Sequence, residues 1–303
     1  MVFIKERTVK GKKYYALVET IKKGGKSRHK TIASVGRRKP NKIEIKILQS
    51  NLKNEDKLAV DSPQLDTDQK KRVNALNNEM KTQLASYSKI ELANFTKKFD
   101  VDFCYNTNSI EGSTITHEEV GFIAEHKQSI EGRSLKEIHE TENMLEALEF
   151  SRKYKSKINE KLIKKFHSIV QKNIEVETLG QYKRVPNYII GVDYWPTHPA
   201  LVNERMRGLV NWYAFNKTKF HPLELASIFH LKFVMIHPFT DGNGRVARLL
   251  FNIILKLHKY HPVIFSVNNK RDYYSVIKNA EQGTYKPFLK YIIKQFVRTY
   301  EGY

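Results

Sequence analysis

The chain has 303 residues and a net charge of +21, from 53 basic and 32 acidic residues. Hydrophobic residues make up 40% and aromatic residues 11%, which is enough for a core and excludes a wholly disordered chain. Its 14 glycines and 9 prolines are too few for a collagen-like or low-complexity protein. So large a positive charge predicts anionic partners, such as nucleic acid, nucleotide phosphates or an acidic surface.

Cysteine content and hydropathy bear on the compartment. With Cys104 as the one cysteine, the chain has no internal disulfide and no cysteine-built zinc site, which is typical of a reducing compartment. The first residues show no apolar stretch of signal-peptide length, and no run of about 18 apolar residues occurs. We therefore expect a soluble, cytoplasmic protein that does not enter a membrane.

The basic residues concentrate at the start of the chain. Residues 1–50 carry 15 basic and 3 acidic residues, a net charge of +12. KKYYALVETI is rich in aromatic and β-branched residues, KKGGK is typical of a turn, and SRHKTIASVG predicts a second strand. We expect a small basic β-hairpin module over 1–50, then a connector over 51–75.

The rest of the chain, residues 76–303, is predicted to be helical. Apolar residues recur at spacings of three and four, for instance from Leu84 to Phe99, and Thr116 with Glu119 forms a capping box. GQYKRVPNYIIGVDYWPTHP interrupts this period and indicates a turn and an exposed hairpin. The fold class is therefore mainly α, with one β excursion in the helical body.

The segment HPFTDGNGRVARLL combines several features of a phosphate site. A helix must stop at His237, because proline follows it. Residues 241–244 (DGNG) form a tight turn that opens a new helix, whose N–H groups and dipole favour an anion. Arg245 and Arg248 lie three apart, so both can reach the same anion. A carboxylate suited to Mg²⁺ and a histidine lie beside them.

Each of these features alone is usually structural: a turn, a helix end, two solvated arginines. Together and in this order, residues 237–248 resemble the signature of the Fic family, HPF-x-D/E-GNGR-x-x-R. The resemblance implies a fold with an α-helical core and a β-hairpin flap, which agrees with the elements predicted above.

The resemblance also implies a role for each signature residue. These roles are His237 as the general base, Asp241 as the Mg²⁺ ligand, Gly242, Asn243 and Gly244 as an anion hole, and Arg245 and Arg248 as ligands of the β- and γ-phosphates. The implied enzyme is a protein adenylyltransferase, a nucleotidyltransferase that transfers AMP from ATP to a Tyr, Thr or Ser hydroxyl of a target protein. A protein hydroxyl needs a base, and charge developing on phosphates needs cations and N–H donors.

Two further segments resemble parts of that family. The first is the flap at about residues 186–197, which binds a target segment as an added strand. Its residues Ile190, Gly191, Val192 and Asp193 are implied to contact the nucleotide. The second is the region near the adenine, where Tyr273 is implied to contact the nucleotide. The sequence departs from the family at Lys183, where many members carry Arg, and at Glu281, where Asn is frequent.

An inhibitory motif is implied upstream of this core. Residues 107–112 (TNSIEG) fit the family pattern S/T-x-x-x-E-G/N, with Thr107 at its start and Glu111 as the inhibitory glutamate. In members of this class the glutamate pairs with the second signature arginine, here Arg248, and displaces the γ-phosphate. In some members it orients water for AMP removal, so addition and removal both stay open.

Other functions stay open beside AMP transfer. The chain could be a nucleic-acid-binding regulatory protein that acts through residues 1–50, with the Fic-like region regulatory or transferring another phosphate-containing group. Self-modification and a homodimer are also open. His221, His230 and His237 recur along one stretch, but without an HExxH motif we expect His230 to be a packed helix residue.

Overall fold

The body of the molecule is a bundle of helices, as the periodicity predicts. The structure is a computed structural model that describes residues 2–23, 26–53, 63–187 and 195–301, without the side chains of residues 23, 53 and 281. In chain order, the helices are α1 (Lys42–Lys53), α2 (Thr67–Ser86), α3 (Lys89–Ile110), α4 (His117–His126), α5 (Leu135–Lys153), α6 (Glu160–Val170), α7 (Pro199–Asn216), α8 (Pro222–Ile236), α9 (Asn243–Leu257), α10 (Lys270–Glu281) and α11 (Lys286–Glu301). None of the helices in these ranges is long and apolar enough to cross a membrane.

The N-terminal module is a sheet with one strand more than the predicted hairpin. Strands β1 (Val2–Val9), β2 (Lys12–Lys23) and β3 (Lys26–Gly36) pair antiparallel in the order β1-β2-β3. The hairpin of β2 and β3 is confirmed, whereas β1 was not predicted, because three consecutive charged residues in its middle obscure the alternation. The turn between β1 and β2 places Lys10 and Gly11 at φ of 49° and 74°, which is the left-handed backbone of a two-residue hairpin turn.

A small core attaches this sheet to the helices. Leu17 of β2 and Ala33 of β3 pack against Leu48 of α1 and Leu201 of α7. The module boundary predicted at residue 50 therefore falls inside α1, and the described part of the predicted connector is helical at both ends.

Caps divide the predicted helical stretches. Residues Leu84 to Phe99 do not form one helix. Helix α2 ends before Tyr87, and Ser88 begins α3 in a capping box with Glu91. The apolar spacing continues across this break, so periodicity alone did not show it. The capping box of Thr116 and Glu119 is confirmed at the start of α4.

Helices α8 and α9 form the centre of the core. Most residues of both helices are buried, including charged or polar ones such as Glu224, His230 and Arg248. A helix that is buried on nearly all sides is held rigidly by its neighbours. The loop that joins α8 to α9 carries residues 237–242, so the central packing of the fold positions the signature segment.

Candidate active site

His237 ends α8 in a left-handed conformation. Its φ is 50°, its backbone N–H donates to Phe233 O at 3.0 Å, and Pro238 prevents the helix from continuing. The ring is half-buried, and its Nδ1 is buried without a hydrogen-bond partner among the described residues. Burial, to which the positive charge of Lys183 adds, lowers the pKa of His237 to about 4. The imidazole is therefore neutral near pH 7, as a general base must be.

Asn243 closes the loop between His237 and α9. Its Oδ1 accepts from Phe239 N at 2.9 Å, and its Nδ2 donates to Phe239 O at 2.9 Å. The side chain therefore holds the loop, and its backbone N–H begins α9. Gly242 precedes it at φ 73°, where a Cβ would lie 2.5 Å from Gln171 Nε2, so both conformation and space require glycine.

The two signature arginines are buried beside the first turn of α9. Arg245 is 2% exposed, and its Nη1 lies 3.0 Å from Glu140 Oε1 while its Nη2 lies 3.7 Å from Asp241 Oδ2. Its Nε has no hydrogen-bond partner among the described residues. A buried guanidinium with an unsatisfied donor is costly unless an anion completes it.

Arg248 is bound by the upstream motif. Its Nε donates to Thr107 Oγ1 at 2.6 Å, and its Nη2 donates to Thr107 O at 2.9 Å and Glu111 Oε1 at 2.7 Å. Burial opposes the charge of Arg248, but the Glu111 carboxylate outweighs it and raises the pKa of the guanidinium. The buried Nη1 has no hydrogen-bond partner in the described ranges. The geometry therefore brings Thr107, Glu111 and Arg248 together as the resemblance implies.

Gly244 lies directly beneath the Glu111 carboxylate. A Cβ at this position would come 2.2 Å from Glu111 Oε1 and 3.2 Å from Arg248 Nη1. Gly244 is in the first turn of α9, where unpaired N–H groups and the helix dipole attract negative charge. Glu111 thus places a carboxylate where this helix end would bind a phosphate.

Comparisons with known proteins agree with this geometry. A family model described as Fic/DOC family matches residues 157–255. The structure of Fic-1 from C. elegans superposes with a TM-score of 0.68 at 30% identity, over 78% of this chain and 71% of that chain. This chain belongs to the Fic/DOC family.

Other members extend the Fic comparison. A Fic domain containing signaling protein from Bacteroides thetaiotaomicron gives a TM-score of 0.66 at 25% identity, over 76% of this chain and 94% of that chain. The protein adenylyltransferase Fic of Nematostella vectensis is 33% identical over an alignment of 211 residues, which covers 66% of this chain and 47% of that protein. The protein adenylyltransferase fic-1 of Caenorhabditis elegans is 32% identical over an alignment of 207 residues, which covers 40% of that protein. The chain thus spans about half or less of the length of these sequence relatives.

Asp241 is the Fic signature residue expected to bind a metal. Its side chain is 55% exposed, and its Oδ1 accepts from Gly242 N at 2.6 Å. In the part of the chain that the structure describes, no three acidic, histidine or cysteine side chains form a group that could hold a metal ion. A single exposed carboxylate fits Mg²⁺ that arrives with nucleotide phosphates, because Mg²⁺ is usually bound by one or two carboxylates plus phosphate oxygens.

Tyr273 is buried between His230 and Arg248. It is 2% exposed, its hydroxyl lies 3.0 Å from His230 Nε2, and its ring centre lies 6.0 Å from the Arg248 guanidinium carbon. In this conformation Tyr273 has almost no surface to offer a nucleotide, so the contact expected of it stays a prediction. His230 is packed in the helix as predicted, between the stacked rings of Phe265 and Phe288.

The remaining expected residues lie outside the described parts. Ile190, Gly191, Val192 and Asp193 of the flap fall between residues 187 and 195, where the structure is not described, and the same holds for the Glu281 side chain. Their contacts with a nucleotide stay predictions.

Three residues that the sequence reading did not assign hold the signature loop. Lys183 Nζ donates to Asn187 Oδ1 at 2.6 Å, and Asn187 Nδ2 donates to Phe239 O at 3.0 Å. The His167 ring stacks on Phe239 with centroids 3.9 Å apart. Lys183 is 5% exposed, and burial lowers its pKa to about 7. The one sequence signal for this set was the Lys183 departure from the family pattern.

Proposed function

We propose that this chain transfers AMP from ATP to a hydroxyl side chain of a protein and that Glu111 restrains the reaction. One juxtaposition carries the proposal: a neutral His237 stands at the entrance to a helix N-terminus lined by two buried arginines. That set supplies a base, N–H donors and cations for a triphosphate. The names of the sequence relatives, protein adenylyltransferases, agree with this chemistry.

The proposed reaction displaces pyrophosphate from ATP by a protein hydroxyl. The target hydroxyl oxygen attacks the α-phosphorus of ATP, and the bond from that phosphorus to the bridging oxygen of the β-phosphate breaks. The hydroxyl proton passes to the neutral His237 imidazole, and pyrophosphate leaves. Arg245, Arg248 and the first N–H groups of α9, at Asn243 and Gly244, would hold the β- and γ-phosphates.

Mg²⁺ would be held by Asp241 together with phosphate oxygens, and would supply positive charge to the triphosphate. The carboxylate is exposed enough to reach a bound triphosphate. Asn243, whose side chain is committed to Phe239, would contribute its backbone N–H to the anion hole.

Restraint by Glu111 follows from its competition with the γ-phosphate. The carboxylate accepts from Arg248 and lies over Gly244, so a γ-phosphate at that position would meet like charge and an occupied arginine. ATP would then bind in a pose that does not react. The same carboxylate, placed near a phosphate ester, could orient water for AMP removal, which is the alternative direction of the reaction.

Two differently labelled ATP molecules test the proposal. The purified chain, incubated with Mg²⁺ and α-labelled ATP, is expected to label itself or added protein, whereas γ-labelled ATP leaves no label. Self-modification is the first readout because it needs no identified target. Retention of γ-label instead would indicate that the chain transfers phosphate rather than AMP. The intact glycines of the GNGR segment argue against that reaction. Loss of AMP from a pre-labelled protein would indicate removal.

A further inference from the structure

The N-terminal sheet has two faces of different charge. Residues paired across an antiparallel sheet project to the same side, and residues two apart on one strand share a face. The pairs Lys5 with Ala16, Arg7 with Tyr14, and Lys22 with Ser27 therefore share one face, opposite the face on which Leu17 packs against the helices. We call the side away from Leu17 the outer face.

The outer face carries cations and no carboxylate among the described strand residues. Its basic side chains are Lys5, Arg7, Lys12, Lys22 and His29. The acidic residues of the strands, Glu6 and Glu19, pair with Tyr15 and Lys30 on the other face, and Glu6 forms an ion pair with Lys13 at 2.9 Å. The opposite face carries cations as well, but both described acids lie there, so the outer face is left with cations alone.

Aromatic rings lie among these cations. The Arg37 guanidinium carbon is 5.5 Å from the centre of the Tyr14 ring, and Phe3 meets the His29 ring edge to face at 5.3 Å. Proteins that bind nucleic acid strands combine basic side chains along the backbone with aromatic rings on which bases stack, and arginine adds cation–π contacts. Cations two residues apart on a strand are about 6.8 Å apart, which is close to two nucleotide rises of about 3.4 Å.

The sheet is fixed to the catalytic body beside the flap. Asn51 of α1 donates to Trp195 O at 3.1 Å and accepts from His198 N at 2.7 Å. Arg205 Nη2 of α7 donates to Asn51 O at 3.2 Å. These contacts involve the end of the predicted flap and the residue that follows it, so whatever binds the sheet is held on the same body as the active site.

From these observations we infer that the outer face of the N-terminal sheet binds the phosphate backbone of nucleic acid. The inference goes beyond AMP transfer and does not depend on it. Combined with the proposed function, it would bring the active site to proteins bound on the same nucleic acid.

Two matched triple variants of the full chain test the face. The outer variant combines Arg7→Gln, Lys12→Gln and Lys22→Gln, and the control combines Lys26→Gln, Arg28→Gln and Lys30→Gln. Both remove one arginine and two lysines from exposed positions, and the control residues pair on the opposite face. Thermal unfolding midpoints are measured to check that both variants remain folded. Affinity for a short duplex DNA of random sequence is measured over a range of salt concentrations, with the single strand in parallel.

We expect the outer variant to bind duplex DNA at least about tenfold more weakly, with a slope of log K against log salt smaller by about 3, since each lost phosphate contact removes about 0.9. The control should keep most of its affinity. Equal losses in both variants would overturn the inference, because net charge alone would then explain binding. Absence of DNA binding by the unmodified chain, or binding to anionic lipid vesicles but not to DNA, would also overturn it.

Discussion

Glu111 and Arg248, 137 residues apart in sequence, meet through a 2.7 Å bond between Oε1 and Nη2. The Arg248 side chain is 1% exposed and that of Glu111 32%, so the pair joins a buried cation to a partly exposed carboxylate near the α9 N-terminus. A carboxylate in this position lies where the dipole of a helix N-terminus also attracts a phosphate.

Replacing Glu111 by glycine is expected to raise AMP transfer. A charge-assisted bond contributes about 1.5–3 kcal/mol, and about 1.4 kcal/mol is tenfold in a population, so freeing Arg248 should raise labelling about ten- to hundredfold. Incorporation of α-label into the protein itself measures it. Glu118→Gly, an exposed acid on α4, is the control and should change nothing. Equal or lower labelling by a folded Glu111→Gly variant would contradict the restraint.

Gly244→Ala tests the same contact through stability. The added Cβ would lie 2.2 Å from Glu111 Oε1, so the variant must give up part of the bond to Arg248 and lose about 1–3 kcal/mol of unfolding free energy. In a Glu111→Gly background the added Cβ meets only the flexible end of Arg248, at 3.2 Å from Nη1, and alanine should be neutral or stabilising, since it favours helix over glycine by about 1 kcal/mol. Urea unfolding of the four proteins measures the coupling. An identical loss in both backgrounds would show that Glu111 does not lie over Gly244.

His237→Ala should abolish labelling without unfolding the chain, because the residue ends a helix and supplies a proton acceptor. The pH profile is the sharper test. With a pKa of about 4, His237 is neutral above pH 5, so activity should persist well below the ordinary histidine pKa of about 6.5 and fall only as pH approaches 4. The exposed His126→Ala variant should behave like the unmodified chain. Full activity of His237→Ala would refute the role of base.

Asp241→Ala should remove nearly all AMP transfer and its response to added Mg²⁺. The physical reason is that no other carboxylate of the signature segment could hold a metal on the phosphates. Asp68→Ala, at the exposed start of α2, is the control. Labelling by the Asp241→Ala variant that survives a chelator would rule out the metal assignment.

The buried histidine beneath the site should make the fold sensitive to acid. Burial, with the nearby charge of Arg248, lowers the pKa of His230 to about 3, whereas the unfolded value is about 6.5. Between these values the unfolded chain binds one more proton at His230 than the folded chain does. The contribution of neutral His230 to the unfolding free energy is therefore complete above pH 6.5 and is lost as the pH drops toward 3.

His230→Gln should therefore reduce the pH dependence of the unfolding free energy by up to about 1.4 kcal/mol per pH unit in this range. Glutamine can still bond the Tyr273 hydroxyl, which limits the loss of packing. Urea unfolding at a series of pH values measures the slope, and His126→Gln should leave it unchanged. An unaltered slope in His230→Gln would mean that His230 does not stay neutral in the folded chain.

Local sequence was sufficient for the features that depend on near neighbours. The end of α8 at His237, the left-handed Gly242 just before α9 and the capping box of Thr116 follow from proline, glycine and side-chain oxygens acting within a few residues. The hairpin of β2 and β3 follows from alternation and a glycine turn. The motif order in residues 237–248 also sufficed to indicate the family, because those residues are contiguous.

Folding alone decided what distant residues do together. The bond between Glu111 and Arg248, the burial of Tyr273 under that arginine, and the attachment of Asn51 beside the flap join segments that no local pattern links. The absence of acids from the outer face of the N-terminal sheet, among its described residues, likewise required the register of β1, a strand that the sequence pattern missed. Local preferences act over a few residues, whereas burial and pairing depend on which surfaces the whole chain brings into contact.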